Sequence, residues 1–226
     1  MYEAKVAESV YAVTGQNDTD QDVLQFLATT IRSYLLTLKK DVEEQFRIRQ
    51  VNRKGCRSKQ VRVEDIYLAL EGTPEMYGVK RCVILKSLAK SADETQKPEV
   101  GDEAESPDDT LDSYQSQLRA LDDGSDAYRT FEASRLQDLV DADELTQRMT
   151  LEEYLAYSKR GKTAFVDRPK AFCEWLDWTP RPSRIILTAF GWLATYRIKQ
   201  LINRAIKRKT AESDKLHVSL FQVSEA

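Results

Sequence analysis

The chain holds a single histidine, His217, and three cysteines, Cys56, Cys82 and Cys173, scattered over 226 residues. With no CxxC pair and no His/Cys cluster, the ligand spacing of a structural zinc site is missing. Cysteines so few and so far apart build no disulfide framework and fit a reducing compartment. Glycine and proline number 8 and 6, too few for a turn-rich β-sandwich. No apolar run approaches the roughly 18 residues that a membrane span needs. The opening MYEAKVAESVYAV carries two acids and no long apolar core, so it does not read as a signal peptide. P-loop, GxGxxG, nucleophile-elbow and HExxH motifs are all missing. Glu152 and Glu153 are adjacent, so on a helix they face different directions and make no acid/base pair; capping or solvated charge is the expected role. These absences point to an intracellular, non-enzymatic chain with no cofactor, no metal and no membrane segment.

What the sequence has instead is charge, 31% of residues, and a long helical periodicity. The net charge of −3 conceals a segregation. Residues 93–144 carry 17 acids and 4 bases, a balance of −13, and the remainder balances at +10. Two basic modules joined by an acidic connector are expected, with boundaries at 1–90, 91–146 and 147–226. The stretch from Asp93 to Ser113 has few apolar residues to offset its ordering entropy, and is expected to be disordered. Beyond it helical spacing returns, through Leu118 with Leu121 and then Phe131, Leu136, Leu139 and Val140, as in helices that dock on the modules.

In the first module, Val6, Val10 and Val13 share one helical face, and Gly15 ends that helix. Asn17, Asp18 and Thr19 are candidate N-caps for the next. That helix is predicted to run from Asp20 to Asn52 without Gly or Pro, on a stripe of Val23, Leu24, Leu27, Ile31, Tyr34, Leu35, Leu38, Val42 and Phe46. At 1.5 Å per residue it spans roughly 45 Å, longer than a small domain is wide, so it must cross another element to bury its stripe. Gly55 permits a reversal, Lys59 to Arg62 is predicted as a short extended strip, and VEDIYLAL as a short helix opening on two acids. Pro74 starts a further helix carrying Val79, Val83, Ile84, Leu85 and Leu88. Short helix, long helix, basic loop, short helix, closing helix is the order of a histone fold.

The residues GCRSKQVRVEDIYLAL resemble the loop and third helix of histone-fold transcription factors. The opening YEAKVAESVYAVTGQNDTDQDVLQFLATTIRSYLLTL resembles the first two helices of TFIID subunit thirteen and the related half of a SAGA subunit, with Ser9-Val10-Tyr11 in place of the usual Met-Met-Tyr/Phe. In the second module, Met149, Thr150, Glu152, Glu153, Tyr154, Ser158, Arg160, Ala164, Phe165, Phe172 and Trp175 resemble a segment of the SAGA subunit called suppressor of Ty number three. Gly191-Trp192-Leu193 resembles that family's Gly-Phe-Leu helix. There Pro182 and Ser183 fit a helix start, and Ile186, Phe190, Leu193, Leu201 and Ile202 supply an apolar face. The tail LHVSLFQVSEA has the length of a short closing helix or strip.

The resemblance implies an all-α protein in which two histone folds on one chain form an intramolecular pair across the acidic linker. It implies a nuclear transcription coactivator subunit of a SAGA-type complex, with TATA-binding protein and other histone-fold subunits as partners. A fused equivalent of TFIID subunits thirteen and eleven is the alternative within that class. An architectural, DNA-binding histone-like doublet is the alternative outside it, disfavoured by a pI near 5.5. Tyr196, Arg197, Lys199 and Gln200 interrupt the apolar stripe of the second long helix and are the expected exposed partner-binding residues. Arg53, Lys54, Arg57 and Lys59, with Arg204, Lys207 and Arg208, are candidates for phosphate or acidic-partner contacts, as in weak or indirect DNA binding. Trp175, Trp178 and Trp192 are expected in the core or between modules rather than as exposed anchors.

Overall fold

The structure, a computed structural model, describes residues 2–16, 19–52, 60–95, 107–161 and 165–210. Helices account for all the regular secondary structure among the described residues. In chain order they are α1 (Glu3–Thr14), α2 (Gln21–Asn52), α3 (Val63–Ala69), α4 (Pro74–Thr95), α5 (Pro107–Arg119), α6 (Asp126–Gln147), α7 (Leu151–Gly161), α8 (Pro169–Trp175) and α9 (Arg184–Thr210). The all-α reading therefore holds.

Helix α1 stops where glycine allows it to. Gly15 adopts φ 69° and donates its N–H to the Tyr11 carbonyl at 2.8 Å, a left-handed C-cap that a Cβ would strain. Helix α2 begins one residue later than expected, and its first turn takes its acceptor from Asp20, whose carboxylate receives the Asp22 N–H at 2.9 Å. Asn17 and Asp18 lie outside the described residues. The α2 stripe buries as its spacing predicts: Val23, Leu24, Leu27, Ile31, Leu35, Leu38 and Val42 are buried, with Tyr34 and Phe46 half-buried at the edge.

Gly55 and Lys59 fall outside the described residues. Gln60 to Arg62 form no strand; Arg62 is extended, at φ −115° and ψ 166°, and leads directly into α3. With no strand beside it among the described residues there is no ladder to join, so Arg62 serves as the entry to the helix. Asp65 is fully buried there and ties α3 back to α2. Its carboxylate accepts a forked pair from Arg49, Nε and Nη2 each at 2.7 Å, and the Arg62 backbone N–H at 2.8 Å.

The decisive packing is between the ends of the chain. Helix α9 lies against α1, α2 and α4, and α7 lies against α1, so the N-terminal helices close over the C-terminal ones. One continuous apolar core holds residues of both, from Val6 and Ile31 to Phe190 and Ile198. Ile186, Phe190, Leu193, Leu201 and Ile202 are all buried, as expected of α9. The first helical bond of α9 runs from the Leu187 N–H to the Ser183 carbonyl, so Pro182 precedes the helix instead of occupying its first turn.

Two of the three tryptophans, Trp175 and Trp192, join the two ends. Trp175 stacks on Tyr2, with centroids 4.5 Å apart, inside a cluster with Phe165 and Phe172. Burial there raises the Tyr2 hydroxyl well above its ordinary pKa. Trp178 packs on Phe190 at 4.6 Å. Trp192 lies against Gly78 of α4, filling the space a side chain there would take. Polar links follow the same path. Arg32 donates to the Trp175 carbonyl and to Asp177 at 2.7 Å, Lys39 to the Asp177 carbonyl at 2.7 Å, and Lys5 pairs with Asp167 at 2.9 Å.

The acidic middle departs from expectation. Asp93 to Thr95 complete α4, and Pro107 to Ser113 begin α5, which packs beside α4; only residues 96–106 of that stretch lie outside the described residues. The residue order Pro-Asp-Asp at 107–109 suits a helix N-terminus, with proline in the first turn and acids at the positive end of the dipole. Helix α6 does dock, on α4, but of the expected residues only Phe131 faces inward. Its inward face is Tyr128, Phe131, Ser134, Asp138 and Leu145, while Leu136, Leu139 and Val140 are exposed. Both sets have helical spacing, and tertiary neighbours choose between them. A turn at Asp123 to Ser125 anchors this arm: the Tyr77 hydroxyl donates to the Asp123 carboxylate and meets Ser125 Oγ, and the hydrogen bonds from Tyr77 and Ser125 to Asp123 hold its pKa at about 2.

Candidate protein-docking surface

The four residues expected to meet a partner, Tyr196, Arg197, Lys199 and Gln200, occupy the middle of α9 but are half-buried rather than exposed. Tyr196 stacks on Trp192 with centroids 4.8 Å apart and planes 15° from parallel. Its hydroxyl hydrogen-bonds Ser134 and Gln200, and burial raises its pKa above the ordinary value. Lys199 pairs with Asp138 of α6 at 2.9 Å. Arg197 lies over the Tyr34 ring, 5.6 Å from its centroid, and donates to Gln200 Oε1 at 3.1 Å. They interrupt the apolar stripe because they receive α6 and α2, and the acidic arm supplies the neighbours that the sequence alone left open.

The basic groups divide differently. Arg53, Lys54, Arg57 and Lys59 lie outside the described residues. Arg204 and Arg208 are exposed and one turn apart near the end of α9, with Lys207 between them in the same helix. This is a helix C-terminus, where cations complement the negative end of the dipole. Phosphate recognition by helix amides belongs to the opposite end.

Glu153 is also accounted for by local structure, and Glu152 beside it is exposed. Glu153 accepts from the Thr150 backbone N–H and Oγ1, both at 2.8 Å, and Thr150 Oγ1 accepts from the Glu153 N–H at 3.3 Å. This reciprocal capping box starts α7 and lowers the Glu153 pKa. Among the described residues no group of three His, Cys, Asp or Glu is placed to hold a metal ion, and no helix is long and apolar enough to cross a membrane.

Two surfaces stand out that residue patterns did not single out. The first is a pair of exposed apolar faces, Leu136, Leu139 and Val140 on α6 and Leu151, Tyr154 and Leu155 on α7, each 45–75% exposed. On both helices the three residues stand at i, i+3 and i+4, one apolar stripe facing outward. For α6 the sequence predicts the same i, i+3, i+4 set as the docking face, and the structure turns it outward. The second is a groove of about 490 Å³ between α4, α6 and α9, floored by Gly78, Phe131 and Trp192 and bordered by Arg81, Lys86, Arg135 and Lys199. Cys82 also lines it, and burial raises its thiol pKa, which makes it a weak nucleophile at neutral pH.

Compared with known proteins, the chain matches no protein-family model, no curated protein and no solved structure.

Proposed function

We propose that this chain is a non-enzymatic transcription coactivator subunit of the SAGA suppressor-of-Ty-three type, acting in the nucleus by docking TATA-binding protein. In this reading α1 to α4 form one histone fold, α8 and α9 belong to a second, and the two pair within one chain. The observation that carries it is the exchange across the core: α9 is covered by α1, α2 and α4, and Trp175 and Trp192 meet N-terminal residues there. A 32-residue helix and a 27-residue helix, each too long to bury its stripe alone, meet one another. The residues Met149 to Trp175 support the family, since they resemble its most specific segment. The capping box that starts α7 and the Tyr2–Trp175 stack give several of them structural roles.

With Tyr196 and its neighbours half-buried, we assign the docking surface to the outward stripes of α6 and α7. Aromatic and aliphatic side chains left in water at helical spacing are the material of a protein interface. The variant Leu136→Ser with Leu139→Ser and Val140→Ser is expected to weaken binding of purified TATA-binding protein by about tenfold or more, with an unchanged melting temperature. Glu at Tyr196 or Lys199 would instead loosen α6.

Affinity purification of the tagged full chain from nuclear extract sorts the alternatives. TATA-binding protein with an acetyltransferase module is the expected result. TATA-binding protein with TFIID subunits would favour the fused-factor reading. DNA and core histones alone, lost at moderate salt, would overturn the coactivator reading in favour of the architectural one.

A further inference from the structure

We propose that the groove between α4, α6 and α9 is a receptor for an acidic amphipathic helix supplied by a partner protein. Its walls are helical, and on α4 the lining residues Gly78, Cys82, Leu85 and Ala89 recur every third or fourth position. Eleven residue steps from Gly78 to Ala89 make roughly 17 Å of groove, or three turns of helix, the length over which a bound helix presents apolar anchors at i, i+3, i+4 and i+7. Phe131 and Trp192 give an apolar floor, and Leu85 is 41% exposed at the lip.

Charge selects the partner. Four cations and one carboxylate, Asp138, line the groove. Arg135 is held by Glu132 at 2.8 Å and Lys199 by Asp138 at 2.9 Å. Arg81 and Lys86, on the α4 side, have no ion pair among the described residues. Glu132 feels Arg81 only at longer range. An apolar floor with two cations outside any direct ion pair along one rim fits a helix with acids beside its apolar face, and rejects a basic one. The chain's own acidic segment, residues 96–106, reads QKPEVGDEAES and lacks the large apolar side chains that would fill such a floor. This inference stands apart from the TATA-binding protein reading, since that partner is assigned to the outward stripes of α6 and α7.

The test uses the full chain and a fluorescein-labelled synthetic helix of about 16 residues, with Leu and Phe at i, i+3, i+4 and i+7 and Glu elsewhere. A second peptide has Lys in place of every Glu. Anisotropy is expected to show saturable binding of the Glu peptide and none of the Lys peptide. Arg81→Glu with Lys86→Glu is expected to weaken the Glu peptide at least about tenfold, and Lys86→Glu alone, an exposed and structurally mild change, by about threefold. Independently of any variant, the bound peptide is expected to slow alkylation of Cys82 by N-ethylmaleimide, read by mass spectrometry. No binding, binding that both variants retain, or unchanged Cys82 alkylation would overturn the proposal. If Leu220→Ser with Phe221→Ser, in the C-terminal residues of the full chain, tightened peptide binding about tenfold, the native occupant would be this chain's own tail, and the partner-helix assignment would be wrong.

Discussion

Replacing Asp65 by alanine is expected to lower the stability of the chain by about 3–5 kcal/mol, the range for removing one member of a buried ion pair. Asp65 is fully buried and the Arg49 side chain is only 9% exposed, so the guanidinium would lose its carboxylate where water cannot replace it. The same carboxylate caps the start of α3 by accepting the Arg62 N–H, and that amide would lose its acceptor too. For a chain of this size the loss corresponds to a fall in melting temperature of roughly 6–20 °C. The double variant Arg49→Met with Asp65→Leu is expected to recover most of it, because removing both charges also removes their desolvation penalty. Thermal unfolding followed by circular dichroism measures both. A change below about 1 kcal/mol for Asp65→Ala would mean that the pair behaves as a surface contact, and that α3 is not fixed to α2 as described.

Gly78→Ala should destabilise although alanine is the better helix former. On an isolated helix the substitution would gain about 1 kcal/mol. Here a Cβ on Gly78 would lie 1.8 Å from one carbon of the Trp192 ring and 2.4 and 2.7 Å from two others. The ring cannot swing away freely because Tyr196 stacks on its face. Forced repacking of this kind costs about 1–3 kcal/mol, and the sign opposes propensity. Trp192→Leu alone should also destabilise, by leaving a void. Combined with Gly78→Ala, it should lose less than the sum of the two single changes, with a coupling of about 1–3 kcal/mol. Additive effects in chemical denaturation would show that α4 and α9 do not meet at these residues. Because Gly78 belongs to the N-terminal helices and Trp192 to the C-terminal ones, the cycle also reports on their union.

Much of the fold was legible because two features dominate it. The α2 stripe, unbroken by glycine or proline over its whole length, left no competing period. Gly15 marked a helix end that only a left-handed residue could make. Trp175 and Trp192 were legible as junction residues, and Trp178 as a core residue, because aromatics in a charged chain need a large apolar neighbour. What failed has a common cause. Leu136, Leu139 and Val140 share a helix with Phe131 and Leu145, and helical spacing alone gives two apolar faces without saying which is covered. Tyr196 and Lys199 looked exposed because they interrupt an apolar stripe, yet Ser134 and Asp138 of the acidic arm reach them. The order in residues 107–113 was missed because composition measures what a segment buries by itself, while α5 rests on α4. Neither the groove nor the pairing of Trp192 with Gly78 leaves a local signal, since both join residues more than 100 positions apart.

The most direct test of the central claim is to cut the folded protein between α4 and α5. A protease site introduced within residues 96–106 would separate the chain into two pieces, one holding α1 to α4 and the other α5 to α9. If the ends share one core, the pieces should remain together as a 1:1 complex in gel filtration with light scattering, with helical circular dichroism unchanged. They should part only on unfolding. Pieces that separate after cleavage while each keeps its helical signal would show two independent domains, and would contradict the paired architecture on which the proposed docking role rests.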